Sequence, residues 1–199
     1  SSSLNPFEVT STNLREVSFQ GEQILSIFID ALDSDQSNKL TTLMVSCLEK
    51  AIYFLLKRGD STLTDLIKLL DCDPELMAEA FRYNTYFNDD YARPSNKTRT
   101  GLKGRIERFL NNPILKNNLT TESIFNLEQL INDNKILVFN LSKVPEHSQA
   151  FLGKILITRI RSICRKRKKG TDKRTYLFLD ECQLFSNKSY TKILSEMRG

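Results

Sequence analysis

The sequence predicts an α/β fold with a large helical insertion. Two short apolar runs, at 135–141 and 176–179, consist mainly of aliphatic and aromatic residues, which is typical of buried parallel strands. Between them, residues 147–167 carry apolar side chains at the spacing of an amphipathic helix. Strand, crossover helix and strand make a βαβ unit, whose crossover is right-handed in almost every case. The stretch from 13 to 125 shows mainly helical periodicity and predicts an all-α region.

Apolar spacing and helix start signals locate the helices of this all-α region. Two helices are expected within 13–57, separated by a polar break at 33–38. Thr62 and Asp65 have the spacing of a capping box and predict the start of the next helix. Further helices are expected at 73–83, 100–111 and 114–118, and a short strand or turn is expected to lead into a helix within 123–131. We expect the apolar faces to pack against one another rather than to form grooves for a partner.

The composition excludes several classes of site. A chain of 199 residues with 40% hydrophobic residues can bury one good core, or one core and a smaller second one. The cysteines lack the spacing of zinc ligands, so buried free thiols and a reducing, cytosolic setting are expected. These cysteines are Cys47, Cys72, Cys164 and Cys182. With His147 as the single histidine, a histidine-based site is not expected, and the net charge of +5 is a mild indication of a polyanionic partner.

The apolar run 176–179 ends in two adjacent carboxylates, Asp180 and Glu181. A buried parallel strand delivers the residues that follow it to the carboxyl edge of its sheet, where ligands bind. At that edge the first acid can hold Mg²⁺, directly or through water, and the second can orient and deprotonate an attacking water. This is the layout of a Walker B strand. The alternative is a strand that ends in a solvated turn, and the acid pair taken alone would favour that alternative.

The residues after the acid pair carry a more specific signal. Cys182-Gln183-Leu184-Phe185 follows directly, and Ile193-Leu194-Ser195-Glu196-Met197-Arg198 follows later. This segment resembles the Walker B region of the HerA/FtsK group of ring ATPases, in particular the coupling-protein ATPases of conjugation and type IV secretion (the TraG/TraD type). The resemblance implies that Asp180 binds the metal, that Glu181 is the catalytic acid and that both contact the nucleotide. It also implies that Arg198 reaches the nucleotide of a neighbouring subunit.

The resemblance extends over most of the chain and predicts its domain organisation. Three shorter phrases are similar to the same family: Asn5-Pro6-Phe7, the capping-box phrase that begins at Thr62, and Asn140-Leu141-Ser142-Lys143. By this resemblance, 1–12 is the edge of a RecA-like P-loop nucleotide core, 13–125 is an all-α domain and 126–199 is the core segment that contains Walker B.

One expected motif is absent from the sequence. No G-x-x-x-x-G-K-[ST] phosphate-binding loop occurs in the 199 residues, and Gly101-Leu102-Lys103-Gly104 has the wrong glycine spacing. We therefore expect Walker A, and the glutamine-bearing strand that follows Walker B in this family, to lie outside the chain. A fragment of this kind should not hold ATP tightly by itself.

The function that the resemblance implies is ATP-driven movement of DNA by a hexameric ring, with ATP and Mg²⁺ as cofactors. The implied partners are single- or double-stranded DNA, further copies of the chain, and relaxase or secretion-channel proteins. The expected location is the cytoplasm, at the inner face of a bacterial inner membrane if membrane helices precede the chain. Two alternatives stay open: a non-enzymatic cargo-binding adaptor that retains a degenerate ATPase half, and a secretion ATPase that moves protein.

Two basic regions are candidates for nucleic-acid contact. Lys103, Arg105 and Arg108 lie on the polar faces of the helix expected at 100–111. The run 165–169 is the densest cluster of positive charge, but cations at a helix C-terminus also favour the helix dipole, and we prefer that structural interpretation. The aromatic residues within 83–99 could stack on bases, although anchoring a long loop is the preferred interpretation.

Overall fold

The computed structural model of the chain describes residues 4–9, 13–33, 39–83, 95–120, 125–167 and 174–185. The chain divides into two compact units, Ser1–Phe125 and Asn126–Gly199. We call them the N-terminal unit and the C-terminal unit, and each is described by itself.

Six helices form the described part of the N-terminal unit. They are α1 (Leu14–Leu32), α2 (Thr42–Arg58), α3 (Leu63–Leu70), α4 (Pro74–Tyr83), α5 (Asn96–Leu110) and α6 (Pro113–Leu119). The second helix is central, because it packs against α1, α3 and α5. Its side chains Leu48, Ile52 and Leu55 are fully buried. The apolar faces therefore pack against one another, as the spacing predicts.

Side-chain caps fix where these helices begin. Thr62 donates its backbone N–H to Oδ2 of Asp65 over 2.8 Å, which confirms the predicted capping box of α3. Oγ1 of Thr41 accepts from the N–H of Met44 at the start of α2. Oγ of Ser95 accepts from the N–H of Thr98, so α5 begins four residues earlier than its apolar pattern alone indicates.

Residues 4–9 belong to the N-terminal unit. Phe7 is fully buried and its ring stacks on Phe28, with the ring centroids 6.3 Å apart. Asn5 donates from Nδ2 to the carbonyl of Ser61 and accepts the N–H of Phe7 at Oδ1. The side-chain amide of Asn5 therefore satisfies two backbone groups, one within 4–9 and one at Ser61, just before α3.

The described part of the C-terminal unit contains two α-helices and one short 3₁₀ turn. These are α7 (Leu127–Asn132), α8 (Glu146–Arg165) and the turn Cys182–Phe185. α7 starts at Asn126, whose Oδ1 accepts the N–H of Gln129. α8 contacts both α7 and the 3₁₀ turn.

The prediction of an α/β, RecA-like core is wrong. The structure is 68% helical, and no strand or sheet occurs among the residues that it describes. Both apolar runs that predict strands lie outside regular secondary structure, and Ile136 and Val138 are 94% and 86% exposed. The physical reason is that an apolar run becomes a central strand only when neighbouring strands pair with its N–H and C=O groups. Within the described ranges nothing forms such a ladder with either run.

Among the described residues, no helix combines the length and the apolar character that crossing a membrane requires.

Candidate acid-pair site

Asp180 and Glu181 form an exposed turn between the run 174–179 and the 3₁₀ turn that begins at Cys182. The backbone N–H of Glu181 donates to Oδ1 of Asp180 over 3.0 Å. The carbonyl of Glu181 accepts the N–H of Leu184 over 2.9 Å. Glu181 has a φ of +51°, in the left-handed region that residues other than glycine rarely adopt. The local fold therefore presents two consecutive acidic residues at the surface. We call residues 180–185 the acid turn.

Apolar contacts hold the acid turn on both sides. Ile157 of α8 and Phe185 form a small buried cluster, and Leu177, Leu179 and Leu184 pack against it. Exposure alternates along the preceding run, since Tyr176 and Phe178 are 71% and 90% exposed whereas Leu177 and Leu179 are half-buried. Period-two exposure is typical of extended backbone. One side of the run therefore anchors the acid turn, and the other side faces solvent.

Gly153 allows the acid turn to approach α8 closely. A Cβ atom at this position would overlap the ring of Phe185, because it would lie 2.8 Å from Cδ1, 3.0 Å from Cζ and closer still to Cε1. Contacts below 3.0 Å are essentially never made by real Cβ atoms. The ring thus occupies the space that a side chain at 153 would need.

The chemistry of the pair is that of two accessible oxygen ligands. Mg²⁺ is commonly held by one or two carboxylates, with waters and substrate phosphates completing its coordination. Among the residues that the structure describes, no group of three or more potential metal-ligating side chains occurs. Exposure leaves room for water and phosphate oxygens around Asp180 and Glu181. Two exposed carboxylates of this kind can hold Mg²⁺ together with water and phosphate oxygens.

The remaining predicted site residue of this region, Arg198, lies outside the described residues, so its role in a neighbouring subunit stays a prediction. The basic run at 165–169 is described as far as Arg167. Lys166 lies 3.8 Å from Glu128, and Arg167 donates from its guanidinium to Oγ1 of Thr175. These contacts tie the C-terminal end of α8 to its own unit, and the structural interpretation of the whole run 165–169 stays a prediction.

The candidate nucleic-acid residues all lie on α5 of the N-terminal unit. Nζ of Lys103 lies 2.7 Å from both carboxylate oxygens of Asp71 and 3.5 Å from Glu107. The hydrogen bond to Asp71 raises the pKa of Lys103 above its ordinary value. Arg105 donates to the carbonyl of Lys39, and Arg108 is exposed. Lys103 and Arg105 therefore have structural contacts within the unit, whatever else they bind.

Two features of the C-terminal unit have no counterpart among the site features predicted from the sequence. One is the close contact of Phe185 with Gly153. A glycine inside an apolar helix often has a packing reason, so Gly153 was the sequence feature that could have indicated this contact. The other is the burial of Lys154, Arg159 and Arg161, each less than a tenth exposed, within α8. None of these three cations was singled out from the sequence, although Arg159 stands four residues from both Ile155 and Ile163 and so falls on the apolar side of α8.

Comparison of the chain with protein-family models, with curated proteins and with solved structures finds no match in any of the three. The resemblance to ring ATPases therefore rests on the motif residues themselves.

Proposed function

We propose that this chain contributes the acid pair of an ATP-hydrolysing site in a protein that moves DNA. The observation that carries the proposal is the exposed turn in which Asp180 and Glu181 stand together, directly after an anchored apolar run. In the proposed site Asp180 binds Mg²⁺ and Glu181 orients the attacking water and accepts its proton. The motif residues from Phe178 to Phe185 support the same assignment.

The proposal does not depend on an α/β sheet within this chain. The phosphate-binding groups of the proposed site come from outside the 199 residues, since the sequence has no phosphate-binding loop. Assembly into a ring would bring an arginine such as Arg198 to the nucleotide of a neighbouring subunit. DNA is the proposed cargo and the cytoplasm the proposed location, both by resemblance to the coupling-protein ATPases.

Substitution of Asp180 tests this function through its metal. The full-length protein should hydrolyse ATP only with Mg²⁺, and Asp180→Asn should lose most of this activity because it removes a negatively charged metal ligand. Raising the Mg²⁺ concentration should restore part of the lost rate. Asp133→Asn is the matched control, since Asp133 is an exposed aspartate of the same unit.

Two outcomes would contradict the proposal. One is absence of Mg²⁺-dependent ATP hydrolysis by the full-length protein, with and without DNA. The other is an Asp180→Asn variant whose rate and Mg²⁺ dependence equal those of the wild type and of Asp133→Asn.

A second candidate function is that of a cargo-binding adaptor without enzymatic activity. The observation that favours it is a set of exposed large apolar side chains in the C-terminal unit: Ile136, Val138, Phe139, Tyr176 and Phe178. Large exposed apolar side chains are one feature of protein interaction surfaces. The adaptor predicts no ATP hydrolysis at all, so the assay on the wild-type protein separates the two functions.

A further inference from the structure

We propose that the contact between Phe185 and Gly153 is a lock that fixes the conformation of the acid turn. Phe185 and Gly153 then act as positioning residues for Asp180 and Glu181, and this catalytic consequence rests on the proposed function. The conformational effect itself concerns only the described structure and can be measured without nucleotide.

The first step of the argument is the fit between the ring and the glycine. Phe185 is 9% exposed and lies at the end of the acid turn, where its ring faces α8. The ring fills the space over Gly153 so closely that any side chain there would have to displace it. Gly104 of α5 is different, because nothing lies within 4 Å of a Cβ placed at that position. The contrast shows that a helical glycine in this chain need not be closely approached, and that Gly153 is.

The second step connects the ring to the acids. The 3₁₀ turn Cys182–Phe185 follows Glu181 directly, and the N–H of Leu184 donates to the carbonyl of Glu181. The N–H of Glu181 in turn donates to Asp180. Through these two hydrogen bonds, a displaced Phe185 ring shifts both acidic residues.

The third step is the backbone of Glu181. Its left-handed conformation is costly for a residue with a side chain and persists only where the surroundings impose it. On the N-terminal side, Leu177 and Leu179 hold the run against the cluster formed by Ile157 and Phe185. On the C-terminal side, the structure shows Phe185 against Gly153. Because Phe185 also belongs to that cluster, displacement of its ring loosens the support of Glu181 on both sides.

Amide hydrogen exchange of the acid turn tests the lock. In Gly153→Ala the added methyl group displaces the ring, and we expect exchange within 180–185 to become about tenfold faster because the overpacked turn opens to relieve the overlap. Mass spectrometry of the exchanged full chain reports this segment separately from the rest. Gly104→Ala is the matched control and should leave exchange in 180–185 at the wild-type rate.

A double variant shows whether the two positions act through each other. Phe185→Leu removes the ring and should by itself accelerate exchange of the acid turn. With Leu at 185, the Ala at 153 no longer meets a ring, so Gly153→Ala/Phe185→Leu should exchange at about the rate of Phe185→Leu alone. Effects that simply multiply would mean that the positions act independently and would overturn the lock.

Unchanged exchange within 180–185 in Gly153→Ala would also overturn it. If Gly153→Ala does not fold, Phe185→Leu decides the question, and wild-type exchange of its acid turn refutes the proposal.

A normal exchange result together with an ATPase defect would argue against the lock and leave the proposed function intact. Accelerated exchange in a protein that never hydrolyses ATP would support the lock and refute the proposed function. In an active protein, Gly153→Ala should lower kcat while leaving KM for ATP nearly unchanged.

Discussion

The two units of the chain differ in where their large apolar side chains lie. In the N-terminal unit, helices pack around α2, and residues such as Ile52 and Leu55 are fully buried. In the C-terminal unit, Ile136, Val138 and Phe178 are at least 86% exposed, although they belong to the two apolar runs from which strands are predicted. In the N-terminal unit the large apolar side chains with high exposure among the described residues are Leu14 and Leu43, at 70% and 64%. The C-terminal unit exposes larger fractions of Ile136, Val138 and Phe178, and its acid pair is exposed as well.

This difference teaches that apolar character stabilises a region only where the fold provides packing partners. A helix satisfies its backbone hydrogen bonds internally and needs only a partner face. An extended run needs partners both for its side chains and for its N–H and C=O groups. The same kind of residue should therefore matter for stability where it is buried, as in α2, and hardly at all where it is exposed, as in the run 135–141.

The largest expected effect compares an identical substitution in the two units. Ile52→Ala removes a fully buried side chain of α2 and should lower the free energy of unfolding by about 2–5 kcal/mol, because it leaves a cavity. Ile136→Ala changes a side chain that is 94% exposed and should cost no more than about 0.5 kcal/mol. Denaturant unfolding followed by circular dichroism measures both. If both variants lose a similar amount of unfolding free energy, the proposed difference between the two positions is wrong.

A smaller effect distinguishes backbone strain from helix propensity at two glycines of the N-terminal unit. Gly59 ends α2 with a φ of +92°, and a Cβ atom added there would have no neighbour within 4 Å, so Gly59→Ala should cost about 1 kcal/mol through its backbone alone. Gly104→Ala lies inside α5 with equal space and should instead stabilise by about 0.5–1 kcal/mol. Thermal unfolding should show melting temperatures that move in opposite directions. Equal shifts would show that helix geometry at these sites is not as described.

The smallest effect is a pH dependence confined to the alkaline range. Burial, with nearby Glu22 and Glu49, raises the pKa of Tyr53 above 10.0. A group whose pKa is higher in the folded state binds its proton more tightly there, so this contribution is complete below pH 10.0 and is lost as the pH rises through the folded pKa. Tyr53→Phe should therefore flatten the loss of stability above about pH 10.

Denaturant unfolding at a series of alkaline pH values measures this slope in the wild type and in Tyr53→Phe. An alkaline slope that is the same in the two proteins would contradict the assignment to Tyr53.

The fold of the N-terminal unit was largely predictable because its signals are local. The capping box of Thr62 and Asp65 and the apolar spacing of α1 and α2 lie within single helices. Strand formation at 135–141 requires partner strands, and an apolar run in the sequence does not show whether such partners are present. The α/β prediction fails for this reason. Local sequence identified Asp180 and Glu181 as candidates, but the Phe185–Gly153 contact joins positions far apart in the chain, which no local pattern specifies.

ATP turnover by Glu181→Gln tests the central claim, that the acid pair carries hydrolysis, most directly. In the full-length protein this substitution should reduce turnover by about 10²–10⁴-fold, because it removes the proton acceptor for the attacking water. Affinity for ATP and the melting temperature should stay close to those of the wild type, since Glu181 is exposed. Glu146→Gln, another exposed glutamate of the same unit, should hydrolyse ATP normally. Turnover by Glu181→Gln at near the wild-type rate would contradict the account.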